Sequence, residues 1–239
     1  MYLRAFAFYC GLVAATLVFA PIAIAAVVLP YRVRYRIVVR WAHLMIWWLG
    51  VTCGLRHEVC GLEHIPATPT IILAKHESAW ETMALQAYFS PQTWVMKREL
   101  MRIPFFGWGL ATLRPIAIDR SAGKNAMDQV VAQGRVRLAD GTWVVIFPEG
   151  TRVAPGARRR YGSGGAMLAA KTGTPVVPVA HNAGDYWPRN GFIKRPGTIE
   201  LAIGPPIDST GRSASEINAL AEQWIESTVQ AIRARRSSA

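Results

Sequence analysis

The chain has 239 residues, with 27 Lys and Arg against 15 Asp and Glu, which gives a formal net charge of +12. Hydrophobic residues make up 51% and charged residues 18%, which excludes a disordered chain and suits one domain with a sizeable core plus an appendage. The mean hydropathy is positive despite this charge, which favours phospholipid headgroups and phosphorylated small molecules over nucleic acid as partners.

The N-terminal segment is apolar enough to cross a membrane. Residues 5–29 contain no charged side chain, and this run exceeds the roughly 20 residues that a spanning helix needs. A cleaved signal peptide is the alternative, because Arg4 precedes the run and Ala23-Ile24-Ala25 resembles a cleavage site. The run is longer than the apolar region of an ordinary signal peptide, so we predict a retained membrane anchor.

The residues after this run predict its orientation. Four cations follow it closely, whereas Arg4 alone precedes it: Arg32, Arg34, Arg36 and Arg40. The positive-inside tendency places them in the cytoplasm, so we expect the protein at the inner (cytoplasmic) membrane with the rest of the chain facing the cytoplasm. Residues 41–49, rich in Trp and too short to span, predict an interfacial helix. Pro21 leaves a second arrangement open, in which both segments form a hairpin within one leaflet.

The chain therefore divides into residues 1–55, a membrane anchor with an interfacial helix, and residues 56–239, a cytosolic domain. In the latter, short β-branched runs alternate with segments of helical period. The predicted strands are residues 70–74, 93–96, 115–118, 142–147, 175–179 and 198–203. The predicted helices are residues 78–89, 124–139, 164–171 and 213–235. This alternation predicts an α/β fold with a mixed, partly parallel sheet flanked by helices, where sites collect at strand carboxyl ends.

A His and a Glu five positions apart follow the first predicted strand of this domain. On a continuous helix His76 and Glu81 would diverge, since five residues turn the chain by about 500°. At a strand-to-helix turn the Glu81 carboxylate can reach one imidazole nitrogen and stabilise the imidazolium, which leaves the other nitrogen to accept a proton from a substrate hydroxyl. Glu77 is an alternative partner. Acids also favour helix starts without any catalytic role.

No metal site is predicted. The spacing of His76 and Glu81 does not match H-E-x-x-H, and the remaining histidines are scattered along the chain. The three cysteines, Cys10, Cys53 and Cys60, lack a C-x-x-C spacing, so they predict neither a zinc site nor a disulfide framework.

Two further strands end in loops that carry arginine. Phe147-Pro148-Glu149-Gly150-Thr151-Arg152 follows an apolar run, and Ile118-Asp119-Arg120 follows another. Gly150 permits close approach of the backbone to a ligand, and the guanidinium of Arg152 suits two phosphate oxygens. Each arginine alone is more typical of a solvated loop than of a binding site. Three polar clusters at three strand ends indicate a site.

Four motifs of this chain, in their order, resemble the four blocks of the glycerolipid acyltransferases, specifically the bacterial 1-acylglycerol-3-phosphate acyltransferases. They are His76-x4-Glu81, Ile118-Asp119-Arg120, Phe147 to Arg152 and Val176-Val177-Pro178-Val179. The resemblance covers roughly residues 73–180. The family usually has Asp where this chain has Glu81, which keeps the charge on a longer side chain. The resemblance implies that His76 is the general base and Glu81 orients it. It implies that the acceptor is held by Arg120, Glu149, Gly150, Thr151 and Arg152.

The resemblance also implies the reaction. A fatty acyl group passes from acyl carrier protein or acyl-CoA to the 2-hydroxyl of 1-acylglycerol 3-phosphate (lysophosphatidic acid), which forms phosphatidic acid in phospholipid biosynthesis without a cofactor. Alternative acceptors are glycerol 3-phosphate and other lysolipids, and the alternative class is a non-catalytic, basic, membrane-anchored binding protein. Other cations are expected to meet headgroups or an acidic carrier protein: Lys97, Arg98, Arg158, Arg159 and Arg160. Phe105, Phe106 and Trp108 line an acyl tunnel or belong to the core.

Overall fold

The structure is a computed structural model that describes residues 1–119 and 124–237. The described strands form one seven-stranded sheet in the order β1-β7-β6-β2-β5-β3-β4, in which only β6 and β7 pair antiparallel. The strands are β1 Leu55–Cys60, β2 Ile71–Ala74, β3 Gln92–Lys97, β4 Ile116–Ile118, β5 Trp143–Ile146, β6 Val176–His181 and β7 Gly197–Ile203. The predicted mixed, partly parallel α/β sheet is confirmed.

Helices cover both faces of this sheet. They are α1 Tyr2–Ala25, α2 Tyr31–Cys53, α3 Trp80–Ala84, α4 Phe106–Ala111, α5 Lys124–Ala139, α6 Gly164–Thr172, α7 Ala183–Tyr186 and α8 Ala214–Ser237. Alternate residues of β2 belong to different hydrophobic cores. Ile72 packs in the core that contains buried residues of α1 and α2. Ile71 and Leu73 pack in the core that contains buried residues of α6 and α8. The period of two along a strand explains this division.

The central strands place two of the predicted motifs side by side. All residues of β2, β5 and β6 are buried, as expected for strands covered on both faces. Strands β2 and β5 pair in parallel, with Leu73 opposite Ile146. Because parallel strands end at the same edge, the segment after β2, which carries His76, and the segment after β5, which carries Arg152, emerge next to each other.

The two N-terminal helices form an antiparallel hairpin. The indole of Trp48 donates to the Ala7 carbonyl at 3.3 Å, and that of Trp41 donates to the hydroxyl of Thr16 at 3.2 Å. The segment Tyr2–Val28 is long and apolar enough to cross a membrane, which is consistent with membrane association. Phe8 is fully buried in the core that also contains Ile72, so α1 packs against the sheet domain as well as against α2.

Several boundaries differ from those that the sequence predicts. Residues 41–49, expected to be a short interfacial helix, are part of the 23-residue helix α2, and Met45 and Leu49 in them are buried. Strand β1 is missing from the prediction because only alternate positions of it are covered by the protein, and polar residues such as Arg56 and Glu58 interrupt its apolar pattern. The helix predicted at residues 78–89 begins only at Trp80 and soon becomes a 3-10 turn.

Candidate active site

His76 and Glu81 meet as the spacing predicts. His76 lies just beyond β2 and Glu81 in the first turn of α3, and their Nδ1 and Oε1 atoms are 2.8 Å apart. The same carboxylate oxygen accepts the backbone N–H groups of Glu77 at 3.0 Å and Ser78 at 2.9 Å. Glu81 is fully buried, whereas 17% of the His76 side chain is exposed. The turn therefore closes around the carboxylate and leaves the imidazole accessible.

The hydrogen bond to Glu81 assigns the imidazole its roles. Because Oε1 can only accept when the carboxylate is ionised, Nδ1 of His76 carries the proton and Nε2 is left to accept one. Burial opposes the ionisation of Glu81, but the imidazoles of His181 and His76 and the hydrogen bond from Ser78 outweigh it, so the pKa of Glu81 lies below its ordinary value. The ring of Phe147 stacks on that of His76 with 4.1 Å between centroids. Carboxylate and phenyl ring together hold the base in one orientation.

Glu77, the alternative partner, does not contact the imidazole of His76 in the structure. Its carboxylate is buried and binds the guanidinium of Arg233, with 2.8 Å between Oε2 and Nη2. Burial raises the pKa of Glu77, and the neighbouring His181 imidazole and Arg233 guanidinium oppose that shift. Glu77 is therefore excluded as the partner of the base.

A second histidine, which the motif analysis did not single out, lies behind the carboxylate. His181 ends β6 and is fully buried, with its Nε2 3.9 Å from Oε2 of Glu81. Its Nε2 donates to the Lys75 carbonyl at 2.9 Å, and its Nδ1 accepts the Ala183 N–H at 3.2 Å. These two contacts orient the imidazole, with Nε2 as the donor and Nδ1 as the acceptor. The sequence signal was its position two residues after the Val176-Val177-Pro178-Val179 block.

The loop after β5 divides its residues between the cleft and the interior. Gly150, Thr151 and Arg152 line the cleft next to His76. Gly150 has a φ of 69°, a conformation that glycine adopts without strain. Glu149 instead lies inside: its Oε2 accepts the His76 N–H at 3.1 Å, and its Oε1 lies 3.0 Å from Nζ of Lys75. Burial raises the pKa of Glu149 to about 7 although Lys75 opposes the shift. Arg120 lies outside the described residues.

The cleft that contains His76 has a volume of about 1020 Å³, at the upper end of the roughly 300–1,000 Å³ of ordinary ligand pockets. Leu12 and Val13 of α1 and Phe105 and Phe106 near α4 line it. Phe105, Phe106 and Trp108 are at least 40% exposed, so these rings do not belong to the core. The arrangement combines a base, a cationic loop and a long apolar surface.

Other cations lie in two places relative to this cleft. Lys97 and Arg189 line it together with Arg152, whereas Arg98 and residues 158–160 are exposed. Among residues 1–119 and 124–237, no group of three or more His, Cys, Asp or Glu side chains is placed to hold a metal ion. The described cleft presents a base, cations and an apolar wall.

Comparison with known proteins agrees with this geometry. A family model described as Acyltransferase matches residues 56–182. The 1-acyl-sn-glycerol-3-phosphate acyltransferase of Pseudomonas aeruginosa is 50% identical over 211 residues, which cover 87% of this chain and 82% of that protein. The enzyme of the same name from Borreliella burgdorferi is 29% identical over 164 residues, 67% of this chain and 64% of that protein.

A solved structure matches the fold over nearly the whole chain. The crystal structure of the 1-acyl-sn-glycerophosphate (LPA) acyltransferase PlsC from Thermotoga maritima superposes with a TM-score of 0.80 at 23% identity. The match covers 97% of this chain and 95% of that one, so it includes the N-terminal hairpin. The family model matches residues 56–182, and the Pseudomonas relative is 50% identical. This chain therefore belongs to the acyltransferase family.

Proposed function

We propose that this protein is a 1-acylglycerol-3-phosphate acyltransferase, which moves a fatty acyl group from a thioester donor to the 2-hydroxyl of lysophosphatidic acid and forms phosphatidic acid. The observation that carries the proposal is the His76–Glu81 pair, 2.8 Å apart, in an apolar cleft that Arg152 also lines. The two bacterial relatives bear the name of this activity. The donor is acyl-CoA or acyl carrier protein.

The geometry suits direct attack of the acceptor hydroxyl on the thioester. Nε2 of His76 takes the hydroxyl proton while the oxygen forms a bond to the thioester carbonyl carbon. The tetrahedral intermediate then expels the thiolate, which receives the proton from the imidazolium, so the products are the new ester and a free thiol. Glu81 stabilises the imidazolium between these steps. Positioning and proton transfer suffice because the thioester is already reactive.

The acceptor's phosphate is assigned to the loop after β5. Arg152 supplies a planar, permanently charged fork, and the glycine at position 150 allows the backbone to come close to the anion. Thr151 lines the same wall of the cleft. Arg120 is proposed as a second cation. Glu149 would serve this site indirectly, because its carboxylate holds the backbone of His76.

We assign the enzyme to the inner (cytoplasmic) membrane with the cleft on the cytoplasmic side. Arg32, Arg36 and Arg40 of α2 are exposed, and such cations favour the cytoplasmic side. Arg34 instead is buried and donates to the Val27 carbonyl at 3.0 Å, so it ties α2 to the 3-10 turn that follows α1. The exposed apolar residues of α1, such as Leu17 and Val18, suit contact with lipid.

Thiol release tests this proposal. Purified protein in detergent is mixed with palmitoyl-CoA, and free thiol is followed with a chromogenic reagent after addition of lysophosphatidic acid, glycerol 3-phosphate or lysophosphatidylcholine. We expect release that depends on lysophosphatidic acid and is lost in His76→Ala. Release only with another acceptor would support the acyl-transfer reaction but contradict lysophosphatidic acid as the acceptor. Absence of release with each acceptor and with acyl carrier protein thioester would favour a binding protein.

A further inference from the structure

The two residues on either side of His76 are both buried in salt bridges with one helix, α8. His76 faces the cleft, whereas Lys75 is 1% and Glu77 0% exposed. Neither Lys75 nor Glu77 lines the cleft, so their side chains lie on the side away from it. On that side lies α8, which follows the part of the chain that the family model matches.

Lys75 is bound by two carboxylates. Its Nζ lies 2.7 Å from Oε1 of Glu226 on α8 and 3.0 Å from Oε1 of Glu149. The hydroxyl of Tyr161 donates to the same oxygen of Glu226 at 3.0 Å. Burial alone would lower the pKa of Lys75, but Glu149 and Glu226 outweigh it and raise the pKa above its ordinary value. The Lys75 ammonium is therefore charged and held in place.

Glu77 is bound by a cation from the same helix. Nη2 of Arg233 donates to both oxygens of Glu77, at 2.8 and 3.0 Å. Nη2 and Nε of Arg233 also donate to Asp185 of α7 at 3.0 and 3.2 Å. A buried carboxylate that loses its cation is strongly destabilised. Glu77 therefore depends on Arg233 for its position.

The two anchors share one face of α8. Glu226 and Arg233 are seven residues apart, close to two full helical turns. The negative Glu226 pairs with Lys75 before His76, and the positive Arg233 pairs with Glu77 after it. We propose that Glu226 and Arg233 are positioning residues, through which α8 holds the backbone on both sides of His76 so that its imidazole stays on Glu81 and faces the cleft. The inference rests on the proposed function, because it concerns the base of that reaction.

The packing of α8 separates this role from general stability. The helix is held to the domain by an apolar stripe of Ile217, Ala221, Ile225 and Val229, all buried. Neutral substitutions at Glu226 and Arg233 leave the stripe intact. The described residues that line the cleft end at Arg189, so no described residue of α8 touches the space where substrate would bind. A positioning role therefore predicts an effect on kcat without a matching effect on KM.

The test compares Glu226→Gln and Arg233→Met with Arg235→Met in the full chain in detergent. Arg235 lies on the same helix, is 61% exposed and pairs with Glu200, so it is the matched control. With palmitoyl-CoA and lysophosphatidic acid, we expect kcat to fall at least about tenfold in the first two variants, since small displacements of a base cost rate steeply. We expect KM within about twofold, and an unchanged control. Arg233→Lys should recover part of the loss.

The thermal unfolding midpoint of each variant is measured beside the kinetics. Variants that unfold earlier but keep wild-type kcat at a temperature where they are folded would overturn the inference and leave α8 a purely structural helix. If Arg233→Met or Glu226→Gln does not fold, Arg233→Lys and Glu226→Asp replace them, and wild-type kcat in both would overturn it equally. A wild-type protein without thiol release on addition of lysophosphatidic acid contradicts the proposed function instead.

Discussion

The ammonium of Lys194 lies 3.5 Å from the centre of the Tyr9 ring, inside a cage of aromatic side chains. The rings of Phe8, Trp187 and Phe192 also surround it, with centroids 4.9, 4.8 and 5.7 Å away. Lys194 is 2% exposed and donates to the Phe192 carbonyl at 2.8 Å. Since Phe8 and Tyr9 belong to α1, this cation fastens the N-terminal helix to the segment between β6 and β7.

This cage predicts a pH-dependent contribution to stability. Burial lowers the pKa of Lys194 to about 8 from its ordinary 10.5, so between these values the unfolded chain holds a proton that the folded chain has released. The free energy of unfolding of the wild type, relative to Lys194→Met, should therefore rise with pH between about 8 and about 10.5. Chemical unfolding of both proteins in detergent, at several pH values between about 8 and about 10.5, measures this difference. Lys171→Met, at an exposed lysine, is the control for loss of a lysine charge, and a flat difference for Lys194 would contradict the prediction.

The base and its carboxylate should act as one unit. His76→Ala should abolish thiol release in folded protein, and Glu81→Gln should lose most of it because an amide contacts the ring without stabilising its cation. Glu81→Asp should keep measurable but reduced activity, since the shorter side chain cannot reach all three donors that Oε1 now binds. The double variant His76→Ala, Glu81→Gln should be hardly worse than His76→Ala. Multiplicative losses above background would assign Glu81 an independent role.

Arg152 should control the affinity for the acceptor's phosphate. A charge-assisted contact contributes about 1.5–3 kcal/mol, so Arg152→Ala should raise KM for lysophosphatidic acid by roughly tenfold or more. Arg152→Lys should have a smaller effect, because it keeps the charge and loses the fork. Arg159→Ala, at an exposed arginine nearby in the chain, is the control for net charge. Unchanged kinetics in both Arg152 variants would show that this side chain is a solvated loop cation that does not bind the phosphate.

Glu149 should make the domain less stable as the pH rises toward neutrality. Its pKa is raised to about 7 in the folded chain from an ordinary value of 4.5, so the folded protein keeps a proton that the unfolded chain has lost. The free energy of unfolding of the wild type, relative to Glu149→Gln, should fall as pH rises from about 4.5 to about 7. Chemical unfolding in detergent at several pH values checks this. A difference that does not vary with pH would show that Glu149 ionises normally.

Gly11 should be required for the helix hairpin. A Cβ at this position would clash with the indole of Trp48, which donates to the carbonyl of Ala7. In an ordinary helix Gly→Ala is stabilising by about 1 kcal/mol, so a lower unfolding midpoint for Gly11→Ala would reverse the usual sign. Cys10→Ala, at the exposed neighbouring position, should have little effect. A raised midpoint for Gly11→Ala would show that Trp48 moves aside freely.

The sequence alone predicted those features that depend on local pattern. The apolar runs of β2 and β5 indicated buried parallel strands, and α5 has the predicted bounds. His76 and Glu81 could be paired because the reach of a strand-to-helix turn is itself local. The edge strand β1 was not predicted, because only part of its surface is buried and its sequence therefore carries little periodic signal.

Only the tertiary structure decided what the polar residues contact. Glu149 belongs to a motif that resembles an acceptor site, yet it turns inward to Lys75 and the backbone of His76. Glu77 was the alternative local partner for the base, but Arg233, 156 residues later in the chain, binds its carboxylate. Buried charges must find counter-charges wherever packing brings them. The sequence specified which residues carry charge, whereas the packing of α8 against β6, the neighbour of β2 in the sheet, specified which charges meet.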